Sequence, residues 1–139
     1  MIEDKELRDL FKIESEEHLL RLNDGLLRLE KNPGDQTTLE ETLREAHSLK
    51  GAARMIGLSD IETLSHCLEN VLSDAKKGKT ALSPEKINGM FYGLDAIKKL
   101  VQEAVTGESS GIKTSEVMNR IAECGVRNAE VGEEASAEC

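Results

Sequence analysis

Four long segments of the chain carry apolar residues at the spacing of an amphipathic helix, and residues that end helices separate these segments. The first segment runs from about Asp4 to Lys31 and stops at the Asn-Pro-Gly sequence of residues 32–34. No segment shows the alternation of apolar and polar residues that is typical of strands. The pattern therefore predicts an all-α protein.

Capping signals predict where the second and third helices begin. Thr38 and Glu41 match a capping box, so we expect the second helix to run from about Thr38 to Gly57. Ser59 and Glu62 have the same spacing, which predicts that the third helix begins at Ser59. Two lysines and a glycine end that helix, as suits the negative end of a helix dipole.

The fourth helix is predicted to begin at Ser83, with Pro84 in the first helical position, and to continue to about Thr106. Short connections between four amphipathic helices favour antiparallel neighbours. Residues 1–106 are therefore predicted to form an antiparallel up-down four-helix bundle.

The remainder of the chain divides into three short parts. Residues 107–114 are rich in glycine and serine and are interpreted as a linker. Residues 115–124 are predicted to form a short fifth helix. Residues 125–139 are polar and are predicted to be a disordered tail or a linker to further domains.

The composition limits the function and location of such a bundle. A net charge of -9 argues against nucleic acid and against an anionic membrane as partners. The first residues lack the basic and apolar regions of a signal peptide, and no apolar run approaches about 18 residues. Three cysteines without a CxxC pair suit a reduced compartment, so a cytoplasmic location is expected.

His47 is predicted to lie at the solvent-exposed edge of the second helix. At about 100° per residue it falls roughly 120° from the middle of the apolar stripe. Its helical neighbours are Lys50, Gly51 and Arg54. Glycine inside a helix costs about 0.5–1 kcal/mol relative to alanine. Its benefit here is an open face beside the histidine ring, which another protein would need in order to bring a reactive group to it.

The third helix offers a carboxylate partner for this histidine. Its apolar stripe leaves His66 and Glu69 on one flank, facing the second helix if the two pack side by side. Glu69 would then accept a hydrogen bond from Nδ1 of His47 and leave a lone pair on Nε2. Neutral Nε2 is a nucleophile, and Lys50 would balance the charge of an incoming phosphoryl group. His66 is either a second member of this site or a residue at its rim.

Other residues are interpreted as structural. His18 is expected to sit on the inner line of the first helix without special neighbours, and Cys67 to be a small apolar filler. A di-iron bundle needs Glu-x-x-His pairs. The residues three positions before the histidines are instead Ser15, Arg44 and Thr63, so no metal site is predicted.

The sequences HSLKG at residues 47–51 and HCLENVL at residues 66–72 resemble the histidine phosphotransfer (HPt) domain at the N-terminus of the CheA-type chemotaxis histidine kinases. The similarity covers roughly residues 7–105. The AARMIG sequence that ends at Gly57 is a departure, since well-known chemotaxis members are richer in glycine there. This departure, which includes the additional cation Arg54, bears on the choice of partner.

The resemblance implies that His47 accepts the γ-phosphoryl group of ATP and donates it to an aspartate of a response regulator receiver domain. Glu69 would orient and activate His47, His66 and Lys50 would complete the polar network, and Gly51 and Arg54 would face the docking partners. ATP and magnesium would be used by a kinase catalytic domain, in cis or in trans, and no cofactor would be bound by this chain.

This chain has no ATP-binding motif of its own. A Gly-Lys-Thr sequence at residues 78–80 follows a helix instead of a strand and lacks the first glycine of a Walker motif. The chain is therefore expected to be a phosphoacceptor within a larger histidine kinase. Two alternatives remain open: an HPt module of another phosphorelay, such as a gliding, pili or hybrid-kinase pathway, and a helical adaptor that is never phosphorylated.

Overall fold

The computed structural model describes residues 1–125, with side chains as far as Ile121. Within this range the chain is all helical, which confirms the predicted fold class. The helices are α1 (Lys5–Lys31), α2 (Gln36–Met55), α3 (Ser59–Lys76), α4 (Pro84–Thr106) and α5 (Thr114–Gly125). The four long helices close into a bundle, because α1 packs on α2 and α4, and α3 packs on the same two helices.

The bundle core is almost entirely aliphatic. Each long helix directs one apolar stripe inwards, as its periodicity predicts, and burial of these stripes is the main favourable contribution to folding. The largest fully buried side chains are Leu22, Leu26, Leu29, Leu39, Leu49, Ile61, Leu64, Leu68, Leu72, Ile87, Met90 and Leu94.

The start of α2 differs from the capping-box prediction. Asp35, not Thr38, is the N-cap residue: its carboxylate accepts hydrogen bonds from the backbone N–H of Thr38 at 3.2 Å and from Thr38 Oγ1 at 2.8 Å. These hydrogen bonds hold the pKa of Asp35 below its usual range. Aspartate is a strong N-cap, so the helix begins earlier than predicted and Thr38 is buried in its first turn.

The start of α3 also lacks the predicted capping box. The helix begins at Ser59, as expected, but the N-cap position is Leu58 and no side chain caps it. Glu62, the predicted partner of Ser59, instead binds Arg54 of α2. By contrast, Ser83 caps α4 as predicted, accepting a hydrogen bond from the Lys86 N–H at 3.2 Å.

The short fifth helix packs against the bundle. Val117 and Ile121 are buried on α5, which contacts α3 and α4. Gly93 on α4 permits this approach, because a Cβ there would lie 2.6 Å from Cδ1 of Ile121. The Arg120 guanidinium lies 4.2 Å from the centre of the Tyr92 ring, a cation–π contact between α5 and α4. Gly125, the first residue of the predicted tail at residues 125–139, is the last residue of α5. The other residues of that predicted tail lie outside the described residues.

Cys67 corrects one expectation. Its side chain is 1% exposed in the core, as predicted for a small apolar residue. It is also disulfide-bonded in this structure, which the interpretation of Cys67 as an apolar filler does not predict.

Among the described residues, no helix combines the length and apolar character needed to cross a bilayer.

Candidate functional site

His47 lies at the exposed edge of α2, as the helical pattern predicts. Its side chain is 66% exposed. Its neighbours Ala46 and Leu49 are fully buried and anchor this part of the helix in the core. The ring is therefore presented to solvent from a rigid element, which suits a group that another protein must reach.

Glu69 of α3 holds both the histidine and the lysine of α2. Its Oε2 lies 2.6 Å from Nδ1 of His47, and its Oε1 lies 2.6 Å from Nζ of Lys50. The side chains of Glu69 and Lys50 are each only 18% exposed. The contact predicted between Glu69 and Nδ1 is present, and the carboxylate is fixed from two sides.

The surroundings of Glu69 keep it charged. Burial raises the pKa of its carboxyl, but hydrogen bonds from Lys50 and His47 outweigh burial, and the net result is a pKa below the usual value. A carboxylate can only accept a hydrogen bond, so Nδ1 of His47 must carry the proton. The lone pair of a neutral ring is then on Nε2.

Gly51 lies one helical turn beyond His47 and leaves that side of the ring open. No heavy atom lies within 4 Å of the position that a Cβ on Gly51 would occupy. A longer side chain here would project beside His47, since residues four apart are neighbours on a helix surface. The predicted open face is therefore present.

Arg54 and His66 lie at the margin of the site. Nε of Arg54 donates to Oε2 of Glu62 at 2.7 Å, a partner that the sequence interpretation assigned to helix capping instead. His66 is half-buried on α3, and its ring makes no hydrogen bond to any residue that the structure describes. The predicted polar network therefore connects His47, Glu69 and Lys50 in this structure, and His66 stands beside it.

His18 has a carboxylate partner that the sequence interpretation missed. Its Nδ1 lies 2.7 Å from Oε1 of Glu45 on α2, and Arg21 approaches the same carboxylate at 3.8 Å. The expectation that His18 lacks special neighbours is therefore wrong. Its side chain is only 15% exposed, and the residue four positions on is the buried Leu22.

Comparison of the two histidines shows which features distinguish them. A carboxylate on Nδ1 and a cation three residues on occur at both His18 and His47. Of these two histidines, only His47 has an exposed ring and a glycine four residues further along the helix. Glu45 could have been found from sequence only by knowing how α1 and α2 align across the bundle.

His47 lines none of the three grooves found among the described residues. A groove of about 600 Å³ lies between α1 and α2 and is lined by residues such as Arg21, Arg28 and Arg44, not by His47. Within the described residues, no three His, Cys, Asp or Glu side chains converge as metal ligands would. The arrangement is an exposed, oriented nucleophile whose reaction partner must be brought to it.

Comparison with known proteins supports this description. The family of Hpt domains matches residues 6–107. The chemotaxis protein CheA of Bacillus subtilis (strain 168) is 36% identical over 113 residues, which cover 81% of this chain and 17% of that protein. The solution structure of the histidine phosphotransfer domain of CheA superposes with a TM-score of 0.81 at 32% identity, covering 91% of this chain and 97% of that one.

A third structure shares the fold at lower identity. The phosphorylated P1 domain of CheA3, in a crystal structure of its complex with CheY6 from R. sphaeroides, has a TM-score of 0.75 at 18% identity. The structural alignment covers 98% of this chain and 99% of the CheA3 chain.

This chain belongs to the Hpt, or histidine phosphotransfer, domain family. Its relatives include CheA phosphotransfer regions, which confirms the resemblance noted in its sequence and supports a phosphotransfer function of the CheA type. The chain spans about a sixth of the length of the Bacillus relative, at 17%.

Proposed function

We propose that His47 is the phosphoacceptor of this domain and that Nε2 is its nucleophilic atom. The observation that carries the proposal is the contact of 2.6 Å between Nδ1 and Glu69, on a ring that is 66% exposed. The contact directs the proton to Nδ1, and the exposure leaves Nε2 accessible to a second protein. His18 lacks that access.

The first step transfers the γ-phosphoryl group from ATP to His47. The lone pair of Nε2 attacks the γ-phosphorus, a P–N bond forms, and the bond from phosphorus to the bridging oxygen breaks to release ADP. The ring gains positive charge as the P–N bond forms. Glu69 accepts a hydrogen bond from the Nδ1–H group, and its negative charge stabilises the positively charged ring. Lys50 keeps Glu69 ionised and oriented.

The second step returns the lone pair to the ring. A carboxylate oxygen of an aspartate on the partner attacks the phosphorus, and the P–N bond breaks as an acyl phosphate forms. This requires the aspartate to approach Nε2 nearly in line with the breaking bond. The open face beside Gly51 supports this approach, and Lys50 and Arg54 supply cations near the phosphoryl group.

The proposed partners are a kinase catalytic domain, in cis or in trans, and a receiver domain of a response regulator. The complex of a related P1 domain with CheY6 supports the receiver. The small share of the CheA relative that this chain covers supports a kinase domain elsewhere in a longer protein. ATP and magnesium would bind to that domain, and a cytoplasmic location would follow from its use of ATP.

The experiment that tests the proposal is a two-stage transfer. The chain is incubated with a CheA-type catalytic core, magnesium and ATP carrying a labelled γ-phosphate, and a receiver domain is then added. We expect an acid-labile, alkali-stable label on the chain, as for a phosphoramidate, followed by its transfer to the receiver. The matched control is a receiver whose acceptor aspartate is replaced by asparagine, which should leave the label on the chain.

The alternatives give different results. A helical adaptor would take no label from any core. A phosphorelay outside chemotaxis would take the label but pass it faster to a receiver of another pathway than to a chemotaxis receiver. An acid-stable label would contradict the proposed chemistry.

A further inference from the structure

The contact between His47 and Glu69 is the middle member of a regular series across the α2–α3 interface. Glu40 Oε2 lies 3.3 Å from Lys76 Nζ, His47 lies 2.6 Å from Glu69, and Arg54 lies 2.7 Å from Glu62. Each step is seven residues forward on α2 and seven residues back on α3. We call these three contacts the interhelical ladder and each contact a rung.

The seven-residue spacing has a physical cause. Antiparallel helices that pack at a shallow angle bring the same faces together about every seven residues, which is two turns or roughly 10 Å of helix. Residues spaced in this way on both helices meet in the same register. One register therefore satisfies all three rungs, and a displacement of α2 along α3 would break all of them together.

We infer that the two outer rungs, Glu40–Lys76 and Arg54–Glu62, are positioning residues for His47. They hold α2 and α3 in the register that keeps the Glu69 carboxylate on Nδ1. The effect on the ring is a property of the fold alone, whereas the effect on phosphorylation rests on the proposed function of His47.

The middle rung needs this support because it tolerates little displacement. Glu69 reaches both His47 and Lys50 at 2.6 Å with a half-buried side chain. A displacement of α2 along α3 by about 3 Å, the rise of two helical residues, would lengthen either contact to about 4 Å, beyond hydrogen-bond distance. The buried residues of α2 set the position of the helix in the core, and the ladder acts on the relative register of the two polar flanks.

The outer rungs are suited to fine adjustment of register, not to overall stability. Glu40 and Lys76 are 51% and 41% exposed, and exposed ion pairs contribute little to folding. The loss of one rung should therefore change the population of correctly oriented His47 by a small factor while the bundle stays folded. Arg54 faces the proposed docking surface, so the Glu40–Lys76 rung gives the cleaner test.

The test is a charge exchange at the Glu40–Lys76 rung. Lys76→Glu places two carboxylates opposite each other, and adding Glu40→Lys restores an attractive pair with the opposite polarity. The matched control is Lys99→Glu, because Lys99 is also 3.3 Å from a carboxylate, that of Asp95, but the pair lies within α4. The control makes the same change in net charge away from the ladder.

Two quantities are measured on each variant. Nitrogen-15 NMR of the full 139-residue chain gives the fraction of His47 with its proton on Nδ1, and the labelling assay gives the phosphorylation rate. Lys76→Glu should lower the Nδ1–H fraction and slow phosphorylation roughly twofold to fivefold, the range expected for one exposed pair. The double variant should restore both quantities, and the control should change neither.

The outcomes separate this inference from the proposed function. If Lys76→Glu leaves the Nδ1–H fraction and the rate at wild-type values, the outer rungs do not position His47. A double variant that stays as slow as Lys76→Glu also overturns the inference, because local charge and not pairing would be the cause. If the wild-type chain takes no label while the NMR result holds, the proposed function fails and the positioning role stands.

Discussion

Enlarging the side chain at Gly51 should stabilise the protein and obstruct phosphotransfer at the same time. No heavy atom lies within 4 Å of a Cβ at this position, so Gly51→Ala introduces no clash and gains the full difference in helix propensity. That difference is about 0.8–1 kcal/mol, which raises the thermal midpoint of a domain of this size by about 4 °C. Gly51→Gln and Gly51→Leu should be stabilised to a similar extent.

Phosphotransfer should fall along the same series of variants. Alanine adds one methyl group beside the ring, but glutamine and leucine extend towards His47 from one turn away. A receiver aspartate that must approach Nε2 in line would meet this side chain first. We therefore expect a small loss with alanine and losses of tenfold or more, on the order of 1.4 kcal/mol in the activation barrier, with leucine.

The assay measures both properties on the same preparations. Circular dichroism gives the thermal midpoint, and the initial rate of label transfer to a receiver domain gives the activity. Gly34→Leu is the control, because Gly34 also has no heavy atom within 4 Å of a Cβ but lies in the turn before α2. A Gly51→Leu variant that is stabilised and transfers at the wild-type rate would refute the access role of Gly51.

Four further predictions concern the site and the core. Glu69→Gln should slow phosphorylation by about 10²-fold, measured as an initial rate, while the circular dichroism spectrum stays unchanged. Lys50→Met should raise the pKa of Glu69 in a carbon-13 NMR titration, because a hydrogen bond that lowers this pKa is lost. The stabilisation by ionised Glu69, measured against Glu69→Gln in urea, should be complete above its usual pKa of 4.5 and disappear as the pH falls through the lower folded-state value. Gly25→Ala should destabilise the protein by about 1–3 kcal/mol in urea unfolding, because a Cβ there would overlap Oγ1 of Thr42; an unchanged midpoint would contradict this packing.

Helix positions followed from sequence because they depend on local signals. The apolar period and the capping signals predict the four long helices, and Ser83 caps α4 as its sequence predicts. The start of α2 differs from the prediction because two possible N-cap residues, Asp35 and Thr38, lie within a few residues of each other. Asp35 binds two groups of Thr38, which removes Thr38 from the role that its own spacing to Glu41 suggested.

A contact between two helices could be predicted from sequence only where it was enough to assume which helices are neighbours. Placing α2 beside α3 was enough to bring Glu69 to His47, since both lie on the facing flanks of their helices. The partner of His18 required the register of α1 against α2, which core packing sets and periodicity does not reveal. The roles of Glu40 and Glu62 in the ladder depend on register in the same way.

The most direct test of the central claim is to determine which of the two carboxylate-bound histidines carries the phosphoryl group. The wild-type chain, His47→Gln and His18→Gln are each incubated with a CheA-type catalytic core, magnesium and labelled ATP, and the labelled peptide is identified at alkaline pH. We expect His18→Gln to take the label on His47 at close to the wild-type level and His47→Gln to take none while keeping its helical spectrum. Label on the His47→Gln variant, or on a peptide containing His18, would contradict the account.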